Sequence, residues 1–292
     1  MAAHTDFEYL RSLALSPADR AVLDRIAADR ETVLQGGRLP EPGEYLRLSV
    51  RVPEAAGHSA EPRYLTLNLR SDLAPASLDT FLEIFRDEAH MKVPGFRGET
   101  SAAGGFVLDL GAHEGYYALR MKLSNPTLQV RAVEPVSENM ALLRLNLEAN
   151  GVGDVETLEA AVGAESGHVV LETLPHVGTV ASTDIMAFPR PWIKRDRIRR
   201  RRVPVTTIAA ILADPTMRYA PTLLKLDVEG SEDEVLSAGA DVLPRFERVV
   251  VECHGEEKRD RVASVMAEAG FACVYAEEKR SGDLYFERRE AT

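Results

Sequence analysis

Residues 104–118 read GGFVLDLGAHEGYYA, and the fold turns on how this stretch is read. Phe106, Val107, Leu108 and Leu110 make an apolar run too short for a helix, interrupted only by Asp109. Glycines follow at 111 and 115, and YYALRMKL then continues at helical spacing. A buried strand that turns on glycine into a helix is the opening unit of a parallel sheet. The same grammar recurs downstream in QVRAVEP (129–135), VETLEAAVG (155–163), TLLKLDVEG (222–230) and RVVVECHG (248–255). All but VETLEAAVG lead into amphipathic runs: ENMALLRLNLEAN, EDEVLSAG and KRDRVASVMAEAG. Strands alternating with helices imply an α/β fold with a mostly parallel sheet covered on both faces. FACVYAEE and DLYFERR, around Ser281-Gly282, read as a closing antiparallel hairpin.

The segment before Gly104 has a different pattern. Ser16-Pro17-Ala18-Asp19 supplies a cap, a first-turn proline and a first-turn acid for a helix that Gly36-Gly37 stops. YLRLSVRV (45–52) and YLTLNLR (64–70) alternate as an antiparallel pair with one wet face, and a second helix is predicted after Ser77. The chain therefore divides into an extension, residues 1–103, suited to lid, substrate or dimer contacts, and a sheet domain, residues 104–292.

The 292 residues are 45% hydrophobic and 28% charged, the make-up of a globular protein. The net charge of −11 argues against a protein devoted to gripping nucleic acid. No run approaches the length of a membrane span, and the charged first thirty residues cannot form a signal core. Cys253 and Cys273 lie in apolar runs without metal-ligand spacing and read as buried thiols of a cytoplasmic protein.

In such sheets ligands bind beyond the carboxyl ends of the strands. The first turn is G-x-x-x-G rather than the G-x-G-x-x-G of dinucleotide sites, with Asp109 two positions before the first glycine. An acid there is poorly placed for pyrophosphate and suits a ligand carrying an amino group and a sulfonium. Glu134, ending the second strand, can accept both hydroxyls of a ribose. Together they favour S-adenosylmethionine over NAD. Alternation along the fourth strand sends Lys225, Asp227 and Glu229 to one side, and three charges ending a buried strand must be paired or functional. His254, ending the next strand, has the ionisation of a general base.

The runs VLDLGAHEGYYAL, AVEPVSENMALLRLNLEANG, LEAAVGAESG, VPVTTI, LLKLDVEGSEDEVLSAG and VVVECHG, in this order, resemble the FkbM family of S-adenosylmethionine-dependent methyltransferases. The resemblance covers residues 106–255 and leaves the extension outside. It departs locally at His113, where family members often carry Asn. It implies a class I, Rossmann-like methyltransferase fold with a seven-stranded sheet, the N-terminal helical and β-hairpin extension being an addition. It further implies that Asp109, Gly111 and Gly115, with Ala112, His113 and Tyr116, shape the methionine end of the cofactor site. Glu134 would bind the ribose with Asn139 near it, and Ala160 and Ala161 would lie by the adenine. Asp227 would stand beside the sulfonium and the acceptor, with Lys225, Glu229 and His254 as the further catalytic candidates.

The implied activity is O-methylation of a sugar, polyketide or related small-molecule hydroxyl. An alcohol needs to lose its proton to attack, either to a base or with help from a divalent cation such as magnesium, for which Asp227, Glu252 and His254 are the candidate ligands. The sequence leaves base and metal open. It also leaves open N-directed or macromolecular methylation, non-catalytic cofactor binding, and a homodimer. The basic run KRDRIRRRR (194–202), after Trp192, reads as a loop insertion in which Trp192, Arg199 and Arg200 are candidates to hold an anionic or carrier-bound acceptor. His90, in the second N-terminal helix, reads as a half-exposed residue, the alternative being that it reaches the active site if that segment acts as a lid.

Overall fold

A computed structural model describes residues 5–35, 43–52, 63–98, 104–174, 177–182, 198–215, 217, 219–279 and 281–290. The extension contributes α1 (Phe7–Leu13), α2 (Pro17–Leu34), β1 (Tyr45–Arg51), β2 (Tyr64–Arg70) and α3 (Ala74–Phe85). Ser16 caps α2 by accepting the Asp19 N–H, as its sequence signal predicts. β1 and β2 pair antiparallel, Leu48 opposite Leu67, with one buried and one wet face. The predicted start of the second helix is corrected: α3 begins at Ala74, with a proline in its first turn, so Ser77 lies inside it.

Beyond Gly104 the elements are β3 (Phe106–Leu110), α4 (Tyr116–Ser124), β4 (Gln129–Val133), α5 (Ser137–Ala149), β5 (Glu156–Leu158), β6 (Ala161–Val162), β7 (Gly167–Leu174), β8 (Val177–Ser182) and β9 (Arg199–Thr206). They continue with α6 (Ile208–Leu212), β10 (Pro221–Leu226), α7 (Glu232–Ala238), β11 (Arg248–His254), α8 (Glu256–Glu268), β12 (Phe271–Ala276) and β13 (Ser281–Arg288). The main sheet has seven strands in the order β12-β13-β11-β10-β3-β4-β5. Only β13 runs against the others. The order reverses between β3 and β10, and that switch point opens a crevice at the strands' carboxyl ends.

Alternation along the strands feeds two cores. Phe106, Leu108, Leu110, Leu224, Leu226, Val249 and Val251 face one, closed by α6, α7 and α8. Val107, Val130, Leu223, Val250 and Tyr285 face the other, where α4 and α5 pack together with Leu10, Leu23, Leu48, Leu67, Phe81 and Phe85 of the extension. The extension is thus part of the layer that covers one face of the sheet. Phe81 stacks on Phe85 and meets Tyr116 edge-on.

Three sequence readings change. VETLEAAVG divides: β5 joins the main sheet, whereas β6 turns into a second, four-stranded sheet of order β6-β9-β7-β8. The described part of the basic run is strand β9 rather than a loop, since pairing with β7 satisfies its backbone and leaves Arg199, Arg200 and Arg202 exposed. Cys253 is buried as expected, but Cys273 is exposed because β12 is an edge strand.

Candidate active site

The crevice at the switch point widens into a cavity of about 1260 Å³, larger than most single-ligand pockets. Its floor is the β3 to α4 turn. Gly111 has φ +79°, and a Cβ there would lie 1.7 Å from the Asp227 carbonyl oxygen. Glycine is what lets the ends of β3 and β10 approach, with Asp227 N–H donating to Leu110 O at 3.0 Å. His113 (φ 49°) and Gly115 (φ 85°) complete a left-handed turn from which α4 starts. Gly111, Ala112, His113, Tyr116 and Tyr117 line the cavity, and Gly115 packs behind them against Leu143.

Asp109 does not reach this cavity. Its side chain is fully buried, and the β3/β10 register sets it beside Lys225. The Lys225 ammonium lies 3.3 Å from Asp109 Oδ1 and 3.6 Å from Asp227 Oδ2, and donates to Gly111 O at 2.7 Å. Burial opposes the charge on Lys225, but these acids prevail and push its pKa up to about 12. Lys225 is therefore a fixed cation bridging Asp109 and Asp227, not a group that exchanges protons. Burial raises the Asp109 pKa, and Lys225 counteracts it.

Glu134 directly follows β4 and lines the cavity. It accepts the His113 N–H (2.9 Å), the Val136 N–H (2.9 Å) and the Asn139 amide (3.2 Å), which fix the carboxylate in place. Burial still raises its pKa. Ala160, Ala161, Val162 and Gly163 form a small-residue wall nearby.

The opposite wall carries titratable groups from five segments. Asp227 follows β10, with Oδ1 buried and making no hydrogen bond among the described residues. Glu229 lies in a turn at φ 53° rather than on the strand, so its place beside Asp227 comes from the turn and not from alternation. Glu252 and His254 end β11, Asp283 pairs with Glu252 from β13, and His90 arrives from the extension. His254 Nδ1 lies 2.8 Å from Glu232 Oε1 of α7, and its Nε2 is 3.5 Å from Glu229 and 3.9 Å from Glu252. Burial disfavours the imidazolium, yet the Glu232 hydrogen bond with Glu229 and Asp227 raises its pKa to about 10. The raised pKa favours the charged imidazole at neutral pH, held through Nδ1 by Glu232, so the general-base reading of His254 gives way to that of an anchored cation. Among the described residues, Asp227, Glu229 and His254 each offer one ligand atom within 4.8 Å of the others. Glu229, rather than Glu252, completes this triad, with Glu232 orienting the imidazole behind it, and Glu252 falls in a second metal-capable group with His90 and Asp283.

His90 is also placed differently from its sequence reading. α3 ends at Phe85, and His90 sits beyond it at φ 63°, 5% exposed and lining the cavity. Its position 193 residues from Asp283 left no sequence signal to link the two. Arg199 and Arg200 do not line the cavity; Arg200 pairs with Glu172, and Arg201 with Glu138. Trp192 lies outside the described residues.

A seven-stranded sheet with one reversed strand, a glycine turn at its switch point and an acid closing the neighbouring strand define a class I methyltransferase fold. The methyltransferase FkbM domain model matches residues 109–273, more than half of the chain, and the protein belongs to this family. It is 25% identical over 202 residues to Methyltransferase 1 of Beauveria bassiana, covering 65% of this chain and 79% of that one. It is 26% identical over 154 residues to Methyltransferase sdnD of Sordaria araneosa, covering 45% of this chain and 59% of that one. Among solved structures it resembles ribosomal protein L11 methylase from Lactobacillus delbrueckii subsp. bulgaricus. That match has a TM-score of 0.39 and 13% identity, covering 65% of this chain and 73% of that one.

Proposed function

We propose that the protein is an S-adenosylmethionine-dependent O-methyltransferase acting on a hydroxyl of a small molecule. The observation that carries this reading is the carboxylate of Glu252, which faces the cavity across from the glycine turn, between two histidines that are each anchored by a buried acid. When bound, the cofactor supplies a methyl group already activated on a sulfonium. Glu134 suits its ribose hydroxyls, and the small wall at residues 160–163 leaves room for a purine. Two buried oxygens without hydrogen-bond partners among the described residues, Tyr117 Oη and Asp227 Oδ1, offer sites for its polar groups. The chain's remaining work is positioning and proton removal. Glu252 accepts the acceptor's proton, and Lys225 and His254 hold the flanking carboxylates in place.

The same wall supports a neutral or cationic acceptor rather than an anionic one. Asp79, Glu83, Asp227, Glu229 and Glu252 all line the cavity, whereas the arginines of β9 do not. Polyhydroxylated compounds such as sugars fit acidic walls, because carboxylates accept hydrogen bonds from hydroxyls.

Titration calorimetry with S-adenosylhomocysteine tests the cofactor assignment. Native protein is expected to bind it, and Glu134→Ala to lose roughly ten- to a hundredfold in affinity, the worth of charge-assisted hydrogen bonds. Absence of binding by the native protein refutes the assignment. Mass spectrometry over neutral, cationic and anionic hydroxyl compounds tests the acceptor.

A second reading is favoured by one observation: Glu232 holds His254 Nδ1, which directs Nε2 toward Glu229 and Asp227, as in a carboxylate-oriented metal ligand. In that reading Asp227, Glu229 and His254 would hold a divalent cation, whose chemistry would be to lower the acceptor's pKa. The imidazole makes manganese or zinc a better match than the magnesium suggested by oxygen ligands alone. Turnover that survives chelator and is unchanged by added Mn²⁺ rules it out.

A further inference from the structure

His90 and Asp283 both lie outside the matched residues 109–273, yet they meet inside the active-site cavity. The contact is specific. Asp283 Oδ1 is 2.9 Å from His90 Nδ1, and Asp283 Oδ2 accepts the His90 backbone N–H at 2.8 Å. Tyr285 donates to the same carboxylate at 3.0 Å, so three donors hold Asp283. The ring of His90 meets Tyr117 edge-on, with centroids 5.9 Å apart. The segment is stitched further: Lys92 N–H donates to Tyr285 Oη at 3.2 Å, and the Lys92 ammonium pairs with Glu277. His90 holds a left-handed backbone that non-glycine residues seldom adopt, a strain that these bonds offset.

Anchoring of Nδ1 leaves Nε2 as the working atom, and it lies 4.0 Å from Glu252 Oε2. That gap is too wide for a direct hydrogen bond. A single oxygen making two hydrogen bonds of about 2.8 Å bridges partners roughly 4 to 5 Å apart, so the gap matches one hydroxyl seated between them.

We propose that His90, held by the positioning residue Asp283, is a catalytic residue that donates from Nε2 to the acceptor hydroxyl oxygen while Glu252 takes that hydroxyl's proton. This rests on the O-methyltransferase reading and extends it: the N-terminal extension, outside the family domain, supplies half of the acceptor clamp. In the step, the acceptor oxygen forms a bond to the methyl carbon. The sulfur–carbon bond breaks with its electron pair on sulfur, and the hydroxyl proton passes to Glu252. A fixed cationic donor beside the oxygen stabilises the negative charge that grows as the proton leaves.

The charge state agrees. Burial disfavours the imidazolium, but Asp283 overrides it and His90 is pushed up to about 9. The groups facing it are Asp283 and Tyr285 of β13, Glu252 of β11, Lys225 of β10, Asp109 of β3, Tyr117 of α4 and Glu83 of α3. Of these the carboxylates favour the charge and Lys225 opposes it.

The test combines two arms on the full chain. Histidine ring ¹⁵N spectra, which need no acceptor, are expected to show His90 charged at neutral pH and titrating well above a free imidazole; Asp283→Asn should bring the titration down toward 6.5. In turnover with a hydroxyl acceptor from the mass-spectrometric panel, His90→Ala should lower kcat roughly 10²- to 10³-fold, the effect of losing one donor to developing charge. Added imidazole should restore part of that activity. Asp283→Asn should move the alkaline limb of the kcat profile to lower pH, which a purely structural role would not do.

S-adenosylhomocysteine affinity should stay within about twofold of native in all variants, which separates failure here from failure of the cofactor assignment. His90→Gln serves as the variant that keeps side-chain volume if His90→Ala does not fold. A His90 ring titrating like a free histidine with Asp283 intact refutes the proposal, as does native kcat in His90→Gln.

Discussion

Replacing Lys225 by methionine separates structure from chemistry at the centre of the site. The ammonium is 4% exposed and bridges Asp109 and Asp227, and Asp109 has no hydrogen bond to either oxygen among the described residues. Lys225→Met keeps the side chain's bulk and leaves a fully buried carboxylate beside a second acid with no cation between them. Breaking a buried pair from one side costs about 3–5 kcal/mol, and the lost hydrogen bond to Gly111 O lies within that range. Asp109→Asn removes the stranded charge, so the double variant should recover about half of the loss, giving a coupling of roughly 2 kcal/mol in a double-mutant cycle.

The pH dependence follows from the raised Asp109 pKa. A carboxyl whose folded pKa lies above its unfolded value penalises the fold at high pH, and the penalty disappears once pH falls below the unfolded value. The defect of Lys225→Met should therefore be largest at pH 7 and above and shrink toward pH 4. Urea unfolding by circular dichroism at several pH values measures all of these quantities. A single variant within 1 kcal/mol of native, or strictly additive variants, would refute the reading of Lys225 as a structural counter-ion.

Two further outcomes follow from the same geometry. Gly111→Ala places a methyl group 1.7 Å from the Asp227 carbonyl in a left-handed turn, so the ends of β3 and β10 must part. A fall of at least about 3 kcal/mol, with loss of S-adenosylhomocysteine binding, is expected from chemical denaturation and calorimetry. For pH and stability, His90 has a folded pKa of about 9 against an unfolded value near 6.5, so its contribution is complete below pH 6.5 and lost as pH rises through 9. The limiting size is on the order of 3 kcal/mol, and thermal melts from pH 6 to 9.5 should show a shallower decline for His90→Gln than for native protein.

Much of the sheet domain was legible in the chain itself. Apolar runs punctuated by glycine or proline located β3, β4, β10 and β11, because short buried strands must be apolar and must end where the backbone turns. Glu134 and Gly111 were legible for the same reason: each occupies a strand end, where the fold puts its ligands. The four-stranded second sheet was not, since β6 is two residues long and β9 is half arginine. The arginine run signalled charge but not pairing. Only the partners Glu172 and Glu138, distant in sequence, show that two of these side chains are engaged along a strand.

The sequence by itself determined the alternating architecture, the placing of the site at the strands' carboxyl ends and the family, because hydrophobic period and glycine placement are local properties of the chain. The tertiary structure alone decided what the charges do. Asp109 was read as a ligand contact and is the buried partner of Lys225; His254 was read as a base and is a cation between acids; His90 was read first as a half-exposed helix residue, with a lid role as the alternative, and is buried in the cavity lining. Each of these outcomes depends on burial and on partners up to 193 residues away. An ionisable group takes its charge from its neighbours, and folding chooses the neighbours.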